Sequence, residues 1–214
     1  MLFRVGRVIA SASVVTAALV TSAPAQTGPM RASFATIGGQ TSTPYGWIDF
    51  CRRHAADCGG AGAVALDLDL SHPQAWRTLE RVNTQVNTRI EAVTDLEHHG
   101  VEEYWSYPDD GRGDCEDFVL LKRRLLIAAG VPRQALLITV VRDERDDGHA
   151  VLTVKTSAGE FVLDNKRAAI LPWTQTGYRF VKRQSQTDPN VWLEVGPPEP
   201  APLVTAAPSR RITR

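Results

Sequence analysis

Between residues 72 and 92 the apolar side chains recur at intervals of three and four. The positions that set this interval are Trp76, Leu79, Val82, Val86 and Ile90. On a helix this spacing gathers them into one apolar stripe. Ser71 is a suitable capping residue, and Pro73 suits the first turn. The pattern therefore predicts an amphipathic helix over residues 72–92.

A second helix is predicted to begin at Cys115, directly after Asp114, which is a good N-cap residue. Four residues form its apolar face: Phe118, Leu121, Leu125 and Leu126. Three basic residues are expected largely on the opposite side: Lys122, Arg123 and Arg124. Gly130 ends the helix and Pro132 blocks its resumption. In the first turn, the backbone N–H groups and the helix dipole would favour a Cys115 thiolate.

From residue 135 onward the pattern changes to short β-branched and alternating runs, which are typical of strands. The predicted strands cover residues 136–141, 150–155, 160–163, 178–182 and 191–195. Helices followed by a series of strands indicate an α+β fold.

The turn centred on Ser157 and Ala158 fixes the register of one predicted hairpin. This register pairs Lys155 with Glu160, Val154 with Phe161, and Leu152 with Leu163. His149 and Asp164 then fall on the same face, at the same end of the hairpin. We therefore expect their side chains to lie close together.

The first 25 residues are predicted to be a secretory signal peptide. Arg4 and Arg7 precede a run of apolar and small residues, and an Ala-Pro-Ala sequence ends at Ala25. A membrane anchor is the alternative, but the run is short and rich in Ser, Thr and Ala. We expect a periplasmic or secreted protein, with no stable membrane insertion after cleavage. A flexible lead-in (26–43), one domain (44–195) and a disordered Pro- and Ala-rich tail (196–214) would follow.

The charge of the chain is balanced. The formal net charge is +0, and removing the two arginines of the signal peptide leaves about −2. No strongly basic patch is present, so nucleic acid is not an expected partner.

The chain has three cysteines. Cys51 and Cys58 are close enough in sequence to close a short disulfide loop in an oxidising compartment. A zinc pair is the alternative, although no matching second pair of ligands follows. Cys115 is then the odd thiol, and such a thiol is either reactive or buried.

Cys115, His149 and Asp164 are the residue types of a nucleophile, its base and an acid that orients the base. The imidazole would take the thiol proton, and the carboxylate would fix the imidazole tautomer. Each residue also has a simpler interpretation. Cys115 could be a packed small residue, His149 a surface histidine, and Asp164 the end of a strand.

Several motifs in this order resemble those of the bacterial transglutaminase-like cysteine proteinases. They are the stretches at 47–53 (Trp-Ile-Asp-Phe-Cys-Arg-Arg), 104–105 (Tyr-Trp), 113–118 (Gly-Asp-Cys-Glu-Asp-Phe), 129–132 (Ala-Gly-Val-Pro), 148–152 (Gly-His-Ala-Val-Leu) and 162–165 (Val-Leu-Asp-Asn). The resemblance implies a papain-like, transglutaminase-type core in which a nucleophile helix packs on an antiparallel sheet. It also implies catalytic Cys115, His149 and Asp164.

The best-understood members of that family are periplasmic proteases that cut large surface adhesins and release cells from biofilms. The resemblance thus implies a cysteine endopeptidase with a protein substrate, such as an adhesin, and allows a regulatory membrane receptor. Two alternatives stay open. One is acyl transfer by a transglutaminase or amidase, through the same thioester. The other is an inactive binding module that keeps the fold.

The resemblance also implies calcium, although the chemistry itself requires no cofactor. The matching positions are Asp114, Glu116 and Asp117, whose hard carboxylate oxygens suit this ion. The alternative is that Asp114 caps the helix while the other two acids complement its dipole. No EF-hand loop is present in the sequence.

Overall fold

The computed structural model describes residues 31–196. The predicted signal peptide (1–25) and the predicted tail beyond residue 196 lie outside the described residues. Within them, no helix is both long enough and apolar enough to cross a bilayer.

The centre of the fold is a seven-stranded sheet with the order β1-β9-β8-β4-β5-β6-β7. Every neighbouring pair is antiparallel. The strands are β1 (Ile37–Thr41), β4 (Leu136–Arg142), β5 (Gly148–Thr156), β6 (Gly159–Leu163), β7 (Leu171–Pro172), β8 (Arg179–Gln184) and β9 (Trp192–Val195). The sheet confirms the α+β prediction, and each of the five predicted strands is present with shifted ends.

Within residues 31–196, four α-helices accompany the sheet: α1 (Tyr45–Arg53), α2 (Pro73–Arg89), α3 (Asp95–His99) and α4 (Cys115–Ala128). Short 3-10 turns lie at Ala55–Asp57, Arg133–Ala135 and Trp173–Gln175. A two-stranded parallel ribbon, β2 (Glu91–Ala92) with β3 (Arg112–Gly113), leads into α4. Residues 91 and 92, predicted as the end of the first helix, therefore belong to β2. His72, not Ser71, is the N-cap residue of α2.

The β5–β6 hairpin has the register that the sequence predicts. Lys155 pairs with Glu160, Val154 with Phe161, and Leu152 with Leu163. Gly159 turns the chain with φ of 113°, a left-handed conformation that glycine adopts without steric cost. The predicted alternation is therefore preserved along both strands.

Each face of the sheet belongs to a different hydrophobic core cluster. The larger core cluster joins α2 and α4 to one face, through residues such as Leu79, Phe118, Leu152 and Leu163. A smaller cluster on the other face contains Val141, Val151, Val162 and Trp173. Helix α4 contacts both α2 and β5, so its first turn is held against the sheet.

A predicted disulfide is present near the end of α1. Cys51 and Cys58 are joined, and their Cα atoms lie 5.7 Å apart. Cys115 is the free cysteine among the described residues.

Part of the predicted flexible lead-in is ordered in the sheet. Within residues 26–43, β1 pairs with β9 through Gln40 opposite Leu193 and Thr41 opposite Trp192. The prediction of a lead-in is therefore wrong for this segment. The segment has two adjacent glycines and no apolar alternation, so its sequence does not indicate a strand. Backbone hydrogen bonds hold it at the edge of the sheet.

Two of the three basic residues of α4 are also buried, contrary to the prediction. Lys122 is fully buried and Arg123 is 4% exposed. Lys122 is enclosed because α4 packs on β5 and α2 at once, whereas the Arg123 guanidinium lies 5.9 Å from the centre of the Trp47 ring in α1. The Arg123 Nε donates to the Leu136 carbonyl at 3.3 Å. The Lys122 ammonium has no hydrogen-bond partner among the described residues and lies 5.9 Å from the Phe118 ring centre.

Replacing Lys122 by Met should stabilise the protein, and more so at low pH. Burial lowers the pKa of Lys122 to about 7, from 10.5 in an unfolded chain. Below pH 7 the folded protein therefore holds an unpartnered buried charge, and this cost fades as the pH rises towards 10.5. Urea unfolding should show a gain of about 1–3 kcal/mol at pH 6 that shrinks by pH 9.

The control is Arg81→Met, which removes an exposed cation from α2. Its effect on the free energy of unfolding should be small at both pH values. A Lys122→Met protein that is less stable than wild type at pH 6 would contradict this interpretation.

Candidate active site

Cys115 is the first residue of α4, and its sulfur faces strand β5. Its N-cap residue, Asp114, has an extended backbone with φ of −112° and ψ of −161°. The Ala150 backbone N–H donates a hydrogen bond to the Cys115 Sγ at 3.4 Å. Since Ala150 follows His149 directly, the helix start lies against the part of β5 that carries the candidate base.

His149 and Asp164 form a buried pair at the open end of the β5–β6 hairpin. The His149 Nε2 lies 2.8 Å from the Asp164 Oδ1, and both side chains are at most 3% exposed. This is the proximity that the hairpin register predicts. With Nε2 donating to the carboxylate, Nδ1 is the ring nitrogen left to accept a proton.

Further hydrogen bonds hold the Asp164 carboxylate. Its Oδ1 also accepts from the Lys166 backbone N–H at 3.0 Å, and its Oδ2 accepts from the Tyr178 hydroxyl at 2.6 Å. Burial alone would raise the pKa of Asp164. The hydrogen bonds from His149 and Tyr178 outweigh burial, so the pKa lies below its ordinary value. Asp164 is therefore held as a carboxylate.

The Cys115 thiol has an acidic partner. It donates to the Glu116 Oε2 at 3.0 Å and not to the His149 ring. Burial first, and then the Glu116 charge, raise the pKa of Cys115 well above its ordinary value. The expected stabilisation of a thiolate by the helix start is thus not found. Neighbouring carboxylates oppose the helix dipole at this position.

Four acidic residues cluster at this helix start. Asp114, Glu116 and Asp117 were predicted together from the sequence, and Asp95 from α3 joins them. Ligand atoms lie within 4.8 Å of one another in two groups, Asp114 with Cys115 and Glu116, and Asp114 with Asp95 and Asp117. Glu116 is 6% exposed, Asp95 1%, and Asp117 fully buried.

The alternative role for Asp114, capping α4, is not observed. Its side chain makes no capping hydrogen bond, and its Oδ2 accepts from the Asp95 backbone N–H at 3.4 Å. Burial raises the pKa of Asp114 to about 6, of Glu116 to about 9 and of Asp117 to about 8, and neighbouring carboxylates add to each rise. Buried acids with little compensating charge form an environment that favours a cation.

The donor atoms of this cluster fit a hard cation such as calcium. Three buried carboxylate oxygens lack a hydrogen-bond partner among the described residues: Asp95 Oδ1, Asp114 Oδ1 and Asp117 Oδ2. Calcium accepts six to eight oxygen ligands in flexible geometry. These three side chains, with Glu116, are the residues that could hold it.

A loop before α4 is fastened to the same acids. The Ser106 backbone N–H donates to the Asp117 Oδ1 at 2.7 Å, and the Tyr104 backbone N–H donates to Asp95. The Arg53 Nη2 donates to the Trp105 carbonyl at 2.7 Å. Thus α1, which carries the disulfide, supports the loop beside the helix start.

Sequence reasoning missed Asp95 and Tyr178 at this site. Asp95 had a local signal, because Thr94 and Glu97 form a capping box that marks the start of α3. Nothing in the sequence links it to Asp114, nineteen residues later. The sequence indicated Tyr178 only as the first residue of the predicted strand at 178–182.

The fold and the matched sequence define the class of this protein. It belongs to the bacterial transglutaminase-like cysteine proteinase family, whose sequence profile matches residues 37–199. The family is one of cysteine peptidases with a transglutaminase-like fold. Helix α4, which carries Cys115, packs on an antiparallel sheet as predicted, and this agrees with the assignment.

Three similar solved structures are of LapG from Legionella pneumophila. One is 30% identical, with a TM-score of 0.45, and covers 50% of this chain and 62% of that one. An EGTA-treated form is 26% identical, with a TM-score of 0.47 and coverage of 57% and 67%. A calcium-bound form is 22% identical, with a TM-score of 0.49 and coverage of 76% and 86%. The first match thus spans less than two thirds of that LapG chain. A search of curated proteins finds no match.

Replacing Gly113 by Ala should destabilise the protein. A Cβ at this position would lie 2.6 Å from the Asp117 Oδ2 and 2.7 Å from the Asp117 Cβ. Since Asp117 is buried and bonded to Ser106, it has little room to move. We expect a loss of about 1–3 kcal/mol in urea unfolding.

Gly39→Ala is the matched control, because a Cβ there meets nothing within 4 Å. It should change the stability much less. Equal effects of the two substitutions would contradict the tight packing of Gly113 against Asp117.

Proposed function

We propose that this protein is an exported cysteine endopeptidase that uses Cys115, His149 and Asp164 as its catalytic residues. The observation that carries the proposal is the buried 2.8 Å hydrogen bond between His149 and Asp164, next to Ala150, whose backbone N–H donates to the Cys115 sulfur. A surface histidine or a strand end would not need this arrangement. Membership of a cysteine peptidase family supports the same assignment.

In the first half of the proposed reaction, the His149 Nδ1 takes the proton from the Cys115 thiol. The sulfur then attacks the carbonyl carbon of a peptide bond and forms a tetrahedral intermediate. His149 returns the proton to the leaving nitrogen as the C–N bond breaks. A free amine leaves, and the acyl group remains on Cys115 as a thioester.

In the second half, His149 takes a proton from water, and the hydroxide attacks the thioester carbon. The second tetrahedral intermediate collapses, the C–S bond breaks, and the Cys115 sulfur regains the proton from His149. Asp164 keeps the imidazole in one tautomer and stabilises its charged form throughout. The products are a carboxylic acid and the restored thiol.

The start of α4 can also stabilise the developing oxyanion. The first N–H groups of a helix have no partner within the helix, and Cys115 is the first residue of α4. Its backbone N–H is therefore a suitable donor to the carbonyl oxygen under attack.

The proposed location is the periplasm or the cell exterior, and the proposed substrate is a protein such as a surface adhesin. The signal-like sequence at residues 1–25, the disulfide and the family resemblance support this assignment. A regulatory membrane receptor is compatible with this proposal.

We further propose that Asp95, Asp114, Glu116 and Asp117 bind calcium. The three buried oxygens without partners support this site, and a calcium-bound form of LapG has been solved. When bound, the ion would supply positive charge that offsets the carboxylates surrounding Cys115. The acids themselves fix the loop at residues 104–106 and the start of α4.

Cys115→Ala should abolish cleavage of a co-expressed protein substrate without unfolding the enzyme.

Asp164→Asn should lower kcat by about 10²-fold or more, because it leaves the imidazole in the wrong tautomer. His149→Ala should also abolish cleavage, whereas its control, the exposed His72→Ala, should keep full activity. Cleavage products are measured by mass spectrometry.

Hydrolysis that survives Cys115→Ala would refute the proposed nucleophile. If wild type links a primary amine to a glutamine donor and releases no hydrolysed product, the protein is a transglutaminase. If wild type does neither while Cys115 stays intact, it is a binding module.

Calcium should raise the melting temperature of wild type, and Asp95→Asn should weaken its binding by on the order of tenfold. The reason is that Asp95 supplies a buried oxygen with no other partner. Titration calorimetry gives the affinity, and Asp67→Asn, at an exposed site, is the control.

EGTA should remove both the thermal shift and the cleavage activity. Activity that is unchanged in EGTA, together with no measurable calcium heat, would refute the calcium site.

A further inference from the structure

One tyrosine contacts both His149 and Asp164. Tyr178, just before β8, donates its hydroxyl to the Asp164 Oδ2 at 2.6 Å. Its ring also meets the His149 ring edge to face, with centres 5.6 Å apart and planes at 81°. A single side chain therefore holds the carboxylate and covers part of the imidazole.

Local structure fixes where this tyrosine lies. Gly177, directly before it, has φ of 77°, a left-handed conformation that favours glycine. The Tyr178 backbone N–H donates to the Thr176 hydroxyl at 3.2 Å, and that hydroxyl donates to the Trp173 carbonyl at 2.9 Å. The Arg167 guanidinium lies 5.2 Å from the centre of the Tyr178 ring. The Tyr178 ring thus has both the His149 ring and a cation as close neighbours.

Each of the two Asp164 carboxylate oxygens accepts hydrogen bonds from its own donors. Oδ1 receives His149 Nε2 and the Lys166 backbone N–H, whereas Oδ2 receives the Tyr178 hydroxyl. With both oxygens occupied, rotation of the carboxylate would break at least one bond. Burial first, and then the hydrogen bond to Asp164, raise the pKa of Tyr178 above its ordinary value, so the hydroxyl remains a donor.

We propose that Tyr178 is a positioning residue that locks the Asp164 carboxylate and shields its hydrogen bond with His149 from water. The inference rests on the proposed peptidase function, because it assigns Tyr178 to the same reaction. Tyr178 acts through the two residues that it contacts, His149 and Asp164.

A purely structural role makes a different prediction. Tyr178 also packs beside the smaller core cluster of Val141, Val151, Val162 and Trp173. Were packing its only role, Tyr178→Phe would preserve function, because phenylalanine keeps the ring. The hydroxyl is therefore the group to remove first.

The test compares Tyr178→Phe, Tyr178→Leu and the control Tyr45→Phe, which alters an exposed tyrosine. Two quantities are measured: kcat and KM for peptide hydrolysis across pH, and the pKa of the Asp164 carboxyl by carbon-13 NMR. The Asp164→Asn protein identifies the Asp164 resonance. The NMR measurement needs no activity and therefore stands apart from the proposed function.

We expect Tyr178→Phe to lower kcat by about 3–30-fold with KM nearly unchanged, since an interaction with the catalytic pair is lost. The pKa of Asp164 should rise by about one unit, because a donor to its charged form is gone. The acid limb of kcat should move to higher pH. Tyr178→Leu, which also removes the ring, should lose more activity, and Tyr45→Phe none.

Unchanged kcat and an unchanged Asp164 pKa in folded Tyr178→Phe would overturn the proposal. If wild type shows no hydrolytic activity but Tyr178→Phe still raises the pKa of Asp164, the peptidase function is refuted and the positioning role is kept. If Tyr178→Phe fails to fold, 3-fluorotyrosine at position 178 replaces it. This stronger donor should lower the Asp164 pKa, and no change would overturn the proposal.

Discussion

The hydrogen bond between His149 and Asp164 depends on the register of a single β-hairpin. The two residues stand at the open end of β5 and β6, where strand pairing from Thr156 and Gly159 determines which side chains share a face. A shift of one residue would send one of them to the opposite face. The turn at Gly159, the Lys155–Glu160 pair and the apolar pairs beyond it thus position the candidate base and its orienting acid.

The charge around Cys115 is a second constraint on the site. The N-terminal turn of α4 faces β5, and a helix N-terminus favours an anion. Four acids surround that turn, however: Asp95, Asp114, Glu116 and Asp117. Burial and Glu116 keep the thiol protonated in this arrangement. Under the proposed function, formation of the nucleophile therefore needs both the His149 imidazole and charge that offsets the carboxylates. Two of these acids also accept hydrogen bonds from the backbone of the loop at residues 104–106. The residues that set the charge around Cys115 therefore also hold this loop.

Local patterns in the sequence predicted much of the fold. The helix stripe of α2, the start of α4 and the β5–β6 register follow from spacing, capping and turn residues over short distances. The proximity of His149 and Asp164 followed from that register. The burial of Lys122 did not, because it depends on α4 packing against two elements at once. Strand β1 was missed because its partner, β9, lies more than 150 residues away. Asp95 and Tyr178 reach the site only through tertiary contacts, which no local pattern records.

Under the proposed function, the His149 imidazole takes the proton of the Cys115 thiol. The most direct measurement is the rate of Cys115 alkylation by iodoacetamide from pH 5 to 10, in calcium-saturated wild type and in His149→Ala. Wild type should be alkylated rapidly near pH 6, well below the ordinary thiol pKa of about 8.5, and His149→Ala should lose this reactive form. A rate that rises only above about pH 8.5 and is the same in both proteins would contradict this proton transfer.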